Sequence, residues 1–479
     1  MHIGVFLIAF SYLLNLFLIL LIIFRERHRP AQTWAWILVL TFLPVIGFFL
    51  YIFFGRGISN YRIFDLKGES EIGLIEEINE QILMARDRQP LQDDDADLEQ
   101  LKYMTTLVGH SLYTKGNKID LFEDGIEKFN SLLADLANAQ NHIHLEYYIY
   151  RNDQLGRKIK QELVRAAKRG VKVKVLLDAW GCSKLPTKFW DDLKVLGGEV
   201  EYFFPIFIPY VNPRINYRNH RKIVVIDGQI GYTGGYNVGE EYLGIDRKFG
   251  YWRDNHLRIE GPAVYPLQNR FLMDWNSHHN PSETYQAEYF PAIKNVGNID
   301  AQIVTSGPDN TYEQIKMVYL KMISIAKEEI LIQTPYYIPD DAMQEALKLA
   351  LLSGVKVKIQ IPNKPDHILV YWATYSFVAE LLEYGAIVEI YDNGFMHAKT
   401  MIIDQKVVSI GSANIDVRSF RLDFEVNTLI YDKTFVAEAI KMFNYTSTQC
   451  HQLTEEKYSK RGRLIKFKEG IARLIAPLL

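Results

Sequence analysis

The sequence predicts a duplicated α/β protein carried behind an N-terminal transmembrane helical hairpin. Three observations predict it: paired uncharged stretches near the N-terminus, a strand–helix–strand pattern written twice, and a His-x-Lys block closing each copy. A chain of 479 residues is too long for one hydrophobic core, so at least two structural units are expected. With 48% apolar and 23% charged residues, the bulk should fold. A formal charge of −3 lacks the positive balance of a surface devoted to a nucleic-acid backbone, so no nucleic-acid partner is expected. Cys182 and Cys450 are too few for a disulfide framework and have no zinc spacing, and both read as buried thiols.

The hairpin occupies residues 1–55. From Ile3 to Phe24 no charged side chain occurs, a length that matches a hydrocarbon core of about 30 Å at about 1.5 Å per residue. The run ends at Phe24-Arg25 without a small-residue cleavage site, so a cleavable signal peptide is not expected. After the polar link Arg25-Glu26-Arg27-His28-Arg29-Pro30 comes a second uncharged run, Ala31 to Gly55, with Trp34 and Trp36 placed as interfacial aromatics. The expected location is a cell membrane, multi-pass. Arg56, Arg62 and Lys67 balance the arginines of the link, so the positive-inside rule leaves sidedness open.

Residues 56–107 read as a polar connector. Its acidic run Asp93-Asp94-Asp95-Ala96-Asp97 lacks EF-hand spacing and suits a linker or the N-terminus of a following helix better than calcium.

Two α/β domains follow, residues 108–285 and 286–479. The first reads His142 to Ile149, a helical pattern with Leu163 and Ala167, then Gly170 to Leu177; the second reads Glu329 to Ile338, a helical pattern from Met343 to Leu352, then Gly354 to Ile361. Strand, helix and strand at this spacing make a βαβ unit with parallel strands. A third block recurs at Gly198 to Tyr202 and Gly385 to Glu389. Gly170 to Gly354 is a step of 184 and His220 to His397 one of 177, so the copies differ by a small insertion in the first.

The chemistry is expected in the last block of each copy. The first is Asn219-His220-Arg221-Lys222, apolar residues, Asp227-Gly228, then Gly234-Gly235-Tyr236-Asn237; the second is Met396-His397-Ala398-Lys399, apolar residues, Asp404-Gln405, then Gly411-Ser412-Ala413-Asn414. On a strand, His and Lys two apart face the same way. A two-residue hairpin at Asp227-Gly228 sets His220 opposite Gly235, and one at Asp404-Gln405 sets His397 opposite Ser412, with a slip of one or two positions allowed. Asn237 and Asn414 then offer amide hydrogens, and Ser412 a hydroxyl, to phosphate oxygens. Asp227 and Asp404 complete the catalytic block, but their odd offset from the lysines turns them from the pocket and suits them to fixing the turn. Carboxylates that orient the imidazoles must come from elsewhere, and Asp254 and Glu425, in the strands that follow, are the candidates. A neighbouring lysine would repel a divalent cation, so no metal is expected. One His-x-Lys alone would read as structural; two complete copies read as a site.

In duplicate, H-x-K-x4-D-x6-G-[GS]-x-N resembles the phospholipase D superfamily, over roughly Gly109 to Leu479. The N-terminal apolar pair, Asn219 to Gly228, Trp252-Arg253-Asp254, Ser306-Gly307-Pro308-Asp309 and Arg473 to Leu479 look like bacterial cardiolipin synthases. Gly235 is a departure, since many members have serine there. The resemblance implies two phospholipase D-like domains and no cofactor. It also implies a phosphohistidine intermediate, with His220 as nucleophile, His397 as acid and base, and Lys222 and Lys399 neutralising phosphate. The substrate implied is phosphatidylglycerol, two molecules giving cardiolipin and glycerol; water as acceptor would make the chain a phospholipase D. Other readings are a phosphodiesterase or nuclease and a scaffold with dead sites, the latter disfavoured because both histidines and both lysines are present. Tyr147-Tyr148 and Tyr336-Tyr337 either line an acyl-chain entrance or pack in the core. The basic amphipathic stretch Lys457 to Arg473 either rests on anionic head groups or is a solvated helix face. Oligomeric state is left open.

Overall fold

The computed structural model describes residues 2–25, 30–54, 74–86, 96–204, 216–246, 248–277, 286–292, 294–310 and 312–476. The chain divides into two compact units, residues 1–62 with 204–217 and residues 63–203 with 218–479.

In the first unit, helix α1 (His2–Arg25) is followed by α2 (Pro30–Phe42) and α3 (Pro44–Phe54). The second apolar run is therefore not one helix. Pro44 has no N–H to give the preceding turn, yet Leu43 N–H still reaches Val39 O at 2.9 Å and Gly47 N–H reaches Leu43 O at 2.5 Å, so the break is a kink and not a reversal. Leu18, Ile22, Leu40 and Tyr51 form a small buried cluster, and the buried Asn15 amide donates to Leu40 O at 3.0 Å. The described side chains of α1 run only from Tyr12 to Phe24. Among the described residues, no helix is long and apolar enough to cross a membrane. The polar link 26–29, Arg56, Arg62, Lys67 and Asp93 to Asp95 lie outside the described residues.

The second unit opens with α4 (Leu74–Arg86) and α5 (Ala96–Gly109). The expected polar connector thus contains structured helix: Asp97 and Glu99 lie in the first turn of α5, while Leu101 is buried in the core of the C-terminal half. The first half then runs β1 (Tyr113–Phe122), α6 (Gly125–Asn138), β2 (His142–Tyr147), α7 (Gln154–Lys168), β3 (Lys172–Asp178) and β4 (Glu199–Phe203). It continues with β5 (Arg218–Asn219), β6 (Ile223–Ile226), β7 (Ile230–Gly234), β8 (Trp252–Arg253), β9 (His256–Glu260) and α8 (Val264–Asn276). The second half repeats this as β10 (Ile299–Ser306), α9 (Gln314–Ile325), β11 (Glu329–Gln333), β12 (Tyr337–Ile338), α10 (Asp341–Leu352), β13 (Lys356–Pro362), α11 (Ile368–Leu382) and β14 (Ile387–Tyr391). It ends with β15 (Phe395–Met396), β16 (Thr400–Ile403), β17 (Val407–Gly411), β18 (Ile415–Asp416), β19 (Asp423–Ile430), α12 (Lys433–Ser447), β20 (Cys450–Leu453) and α13 (Arg463–Ile475).

The halves share one sheet, in the order β4-β3-β2-β6-β7-β9-β1 and then β10-β19-β17-β16-β11-β13-β14-β20. Its two arms mirror each other across the antiparallel pair β1–β10, where Tyr113 faces Gln302 and Thr114 faces Ala301. Within each arm the βαβ strands are parallel: Ile143 lies opposite Val173 and Ile330 opposite Val357. The crossover helices begin and end alike. Asp153 caps α7 through Gly156 N–H at 2.9 Å, and Asp340 caps α10 through Met343 N–H at 3.2 Å. Both helices stop at a left-handed glycine, Gly170 (φ 92°) and Gly354 (φ 88°), with Val171 N–H returning to Ala166 O and Val355 N–H to Ala350 O. Their apolar faces supply matching cores: Ile159 and Leu163 with Leu145 and Val175 in one half, Met343 and Leu347 with Ile332 and Ile359 in the other.

Two expected details change. Glu329 to Ile338 is not one strand, because β11 ends at Gln333 and β12 leaves the sheet to pair with β18. The hairpins also reverse one position later than a two-residue loop would, with Ile226 opposite Ile230 and Ile403 opposite Val407. Asp227, Gly228, Asp404 and Gln405 all carry positive φ, at 55°, 64°, 46° and 54°.

Leu163→Ala, which empties a fully buried position, should lower unfolding stability by about 2–5 kcal/mol in chemical denaturation. Gln405→Gly relieves a left-handed residue at the place where the first half already has glycine, and should raise stability by up to about 1 kcal/mol.

Candidate functional site

Each His-x-Lys segment lies just before a sheet strand and is stitched to the opposite half of the molecule. In the first half β5 runs parallel to the start of β19, Asn219 opposite Phe424, and His220 N–H donates to Phe424 O at 2.9 Å. In the second, β15 runs parallel to β8, Met396 opposite Arg253, and His397 N–H donates to Arg253 O at 2.7 Å. The lysines fold back alike, Lys222 Nζ to His220 O and Lys399 Nζ to His397 O, both at 2.5 Å.

This exchange decides which carboxylate meets which ring. His220 Nδ1 lies 2.9 and 3.0 Å from the oxygens of Glu425, and His397 Nδ1 lies 2.7 Å from Asp254 Oδ2. Both candidates drawn from the strands after each motif face an imidazole, but each serves the histidine of the other half. A carboxylate on Nδ1 fixes the ring and leaves Nε2 for chemistry.

Gly235 is explained by the same pairing. A Cβ there would lie 2.0 Å from Asp254 Oδ1, so only glycine admits the short carboxylate that reaches His397. At the equivalent place Ser412 faces the longer Glu425: its hydroxyl donates to Glu425 Oε2 and accepts from Val426 N–H at 3.0 Å. The Ser412 hydroxyl is therefore engaged by protein and not left free for phosphate. Asn237 is engaged too, its Oδ1 accepting from Ile149 N–H at 3.1 Å and its amide donating to Tyr242 at 3.3 Å. Asn414 differs, with a buried Oδ1 that has no hydrogen-bond partner among the described residues.

Asp227 and Asp404 do not join the imidazoles. Asp227 accepts from the backbone N–H groups of Gln140, Asn141 and His142, the last two at 2.7 and 3.0 Å. Asp404 accepts from those of Lys327, Glu328 and Glu329 at 2.6, 2.8 and 2.9 Å. Each locks the β6–β7 or β16–β17 turn to the start of the neighbouring strand, β2 or β11, the turn-fixing place that their odd offset from the lysines suits.

Burial and like charge set the protonation of the site. Desolvation, followed by Glu425's opposing attraction and repulsion from Lys399, leaves Lys222 down to about 7; desolvation brings Lys399 down to about 8. Burial and then Lys222, Lys399 and His397 hold His220 well below its ordinary value. His397 falls to about 4 through burial and Lys399, against an upward pull from Asp254. Burial pushes Glu425 up to about 7.

Sequence reasoning assigned no role at the site to two of its neighbours, Arg221 and Trp252. Arg221 is fully buried, with both Asp274 oxygens at 2.7 Å, Glu425 O at 3.1 Å and Ser306 O at 2.9 Å, so it clamps the backbone that presents Glu425. Its only signal in the sequence was the contrast with Ala398. Tyr148 packs edge-on against His220 at 4.8 Å, and Trp252 packs at a tilt against His397 at 5.3 Å. The tyrosine pairs divide: Tyr148 lies at the site, whereas Tyr147 and Tyr337 are buried on Lys128 and Gln344.

Residues 132–275 and 319–446 match the family described as "Cardiolipin synthase, PLD-like domain", and residues 13–56 match "Phospholipase_D-nuclease N-terminal". The chain is 47% identical over 483 residues to the major cardiolipin synthase of Bacillus subtilis (strain 168), covering 100% of both. It is 48% identical over 476 residues to a cardiolipin synthase of Oceanobacillus iheyensis, covering 99% of both. Among solved structures, phosphatidylserine synthase of Haemophilus influenzae Rd KW20 superimposes with a TM-score of 0.63 at 15% identity, covering 79% of this chain and 100% of that one. Polyphosphate kinase of Porphyromonas gingivalis gives 0.50 at 13% identity, covering 74% and 53%. At those identities the likeness is one of fold.

Because an anion favours protonated Lys222 and Lys399, its binding takes up protons. Sulfate affinity, measured by calorimetry, should be highest below pH 7 and fall about tenfold or more as pH rises through 7 and 8.

Proposed function

Because the chain belongs to the bacterial cardiolipin synthases of the phospholipase D superfamily, we propose that it is a phosphatidyltransferase that makes cardiolipin and glycerol from two molecules of phosphatidylglycerol. The observation that carries the chemistry is the pair of imidazoles, each held at Nδ1 by a carboxylate of the opposite half, with both lysines beside them.

The two rings are not equivalent, and their difference supports a division of labour. His220 is surrounded by cations, and its partner Glu425, raised to about 7, shares a proton more readily than it acts as a fixed anion. His220 is the neutral nucleophile. Burial and Lys399 bring His397 down to about 4 against the pull of Asp254, and an arriving phosphodiester anion adds to that pull, which suits His397 to carry the proton. In the first step His220 Nε2 attacks phosphorus, the bond from phosphorus to the head-group glycerol oxygen breaks, and His397 gives that oxygen its proton. In the second, a terminal glycerol hydroxyl of another phosphatidylglycerol attacks the phosphohistidine, His397 takes the hydroxyl proton and the P–N bond breaks. Lys222 and Lys399 stabilise the charge on the non-bridging oxygens throughout. Asp227 and Asp404 act at a distance by holding the turns.

The protein acts at a membrane through residues 2–54, as an integral protein of the bacterial cell membrane. Two features support this reading. Leu13, Leu16, Phe17, Phe24, Trp34 and Phe42 are among the apolar side chains exposed on these helices, an amount of apolar surface that water does not tolerate well. The uncharged runs Ile3 to Phe24 and Ala31 to Gly55 also have the length of a hydrocarbon core.

Membranes carrying the protein and labelled phosphatidylglycerol should yield cardiolipin and free glycerol; phosphatidic acid as the main product would sink the transferase reading. His220→Ala and His397→Ala should each reduce turnover to background. Gly235→Ser forces Asp254 off His397 and should reduce turnover by about 100-fold, with the native melting temperature nearly kept.

A further inference from the structure

The C-terminal helix α13 has two apolar faces, and among the described residues only one is covered. Ala472 and Ala476 pack into a cluster with Ile338 and Ala373, against Val370, Trp372 and Phe377 of α11. On the other face Leu464, Phe467, Ile471 and Leu474, spaced three or four apart, are 66%, 65%, 42% and 82% exposed. Ile368 and Leu369, in the first turn of α11, are exposed as well.

Cations border the stripe on both sides. In helical projection Arg463 and Lys466 fall along one flank and Lys468, whose Nζ lies 4.9 Å from the centre of the Trp372 ring, along the other; Arg473, also on the first flank, is paired with Glu380 of α11. The only carboxylate of α13, Glu469, is buried and engaged by Arg461 and by Tyr458 at 3.0 Å, so it does not offset them. The surface also adjoins the reaction site. Asp366, two residues before α11, acts electrostatically on Lys399, and β12, which contributes Ile338 to the cluster under α13, pairs with β18 immediately after Asn414.

We propose that the exposed stripe of α13, with its flanking lysines and arginines and the first turn of α11, is a second membrane-docking surface that seats on anionic head groups beside the site. Apolar side chains between cations fit a bilayer interface carrying negative charge, where the stripe enters the acyl boundary and the cations meet phosphate. Docking there would hold the rim of the site at the depth from which a lipid head group is drawn, independently of the anchor in residues 2–54. The inference rests on the membrane reading of those residues.

The test uses the full chain with His220→Ala, which keeps the lipid composition fixed, and Cys450→Ser. Single cysteines at Phe467→Cys, Leu474→Cys and, as a control on α10, Glu345→Cys carry an environment-sensitive fluorophore. In vesicles of phosphatidylcholine mixed with phosphatidylglycerol, labels at 467 and 474 should shift to the blue and lose access to an aqueous quencher several-fold, while the label at 345 does not. In phosphatidylcholine alone, all three should stay accessible. Equal access at 467 and 345 in the mixed vesicles would overturn the proposal. So would protection at 467 that persists in detergent, which would assign the stripe to a second copy of the chain. Flotation separates the two membrane readings: protein that floats with vesicles while 467 stays exposed refutes the docking surface alone, and protein that fails to float refutes the anchor. Unchanged melting temperatures of the labelled variants verify the fold.

Discussion

The site depends on an exchange of carboxylates across the duplication. His220 is oriented by Glu425 and His397 by Asp254, so neither half holds a complete centre. The exchange needs a fixed relation between halves, and the β1–β10 pairing supplies it by making one sheet of both arms. The short parallel pairs β5–β19 and β15–β8 then deliver each histidine by its backbone into the other arm. A movement of one half against the other would break both imidazole–carboxylate contacts together. The buried Arg221–Asp274 pair stiffens this junction, since removing one partner would strand a charge at a cost of about 3–5 kcal/mol.

Duplication made the site nearly symmetric, and the chemistry uses what symmetry remains broken. A glycine faces the shorter carboxylate and a serine the longer one, and each combination fills the space that the other would overfill or leave empty. The consequence is electrostatic. Burial lifts Glu425 to about 7 against the opposing pull of Lys222 and the Ser412 hydroxyl, and the imidazole it touches stays neutral among the lysines. A phosphoryl-transfer site of this kind needs one ring with a free lone pair and one with a proton; burial and cations lower both rings, and the upward pull of Asp254 on His397 sets the direction of the difference.

Anion recognition follows from the same burial. Lysines taken out of water are poised near neutrality, at about 7 and about 8, so in the proposed reaction an arriving phosphodiester would complete their protonation and be held by the charge it induces. The aspartates of the motif contribute order instead of charge at phosphorus, each satisfying three backbone N–H groups at the start of a parallel strand.

The sequence by itself determined the duplication, the α/β class, the two His-x-Lys blocks and the list of carboxylates, because these rest on local pattern: strand periodicity, glycine punctuation and a motif repeated at a steady step. It also marked Asp254 and Glu425, since each follows its own motif in the next strand. Only the tertiary structure decided that they cross over, because that pairing joins residues 143 and 205 positions apart in the chain and no local pattern encodes it. The same reason explains the other differences. The hairpin register moved by one because the paired ladder resumes after three loop residues. Ser412 and Asn237, read as phosphate ligands, turned to protein partners on other strands and loops, Ser412 to Glu425 and Asn237 to Ile149, and Gly235 acquired its purpose only once Asp254 stood over it.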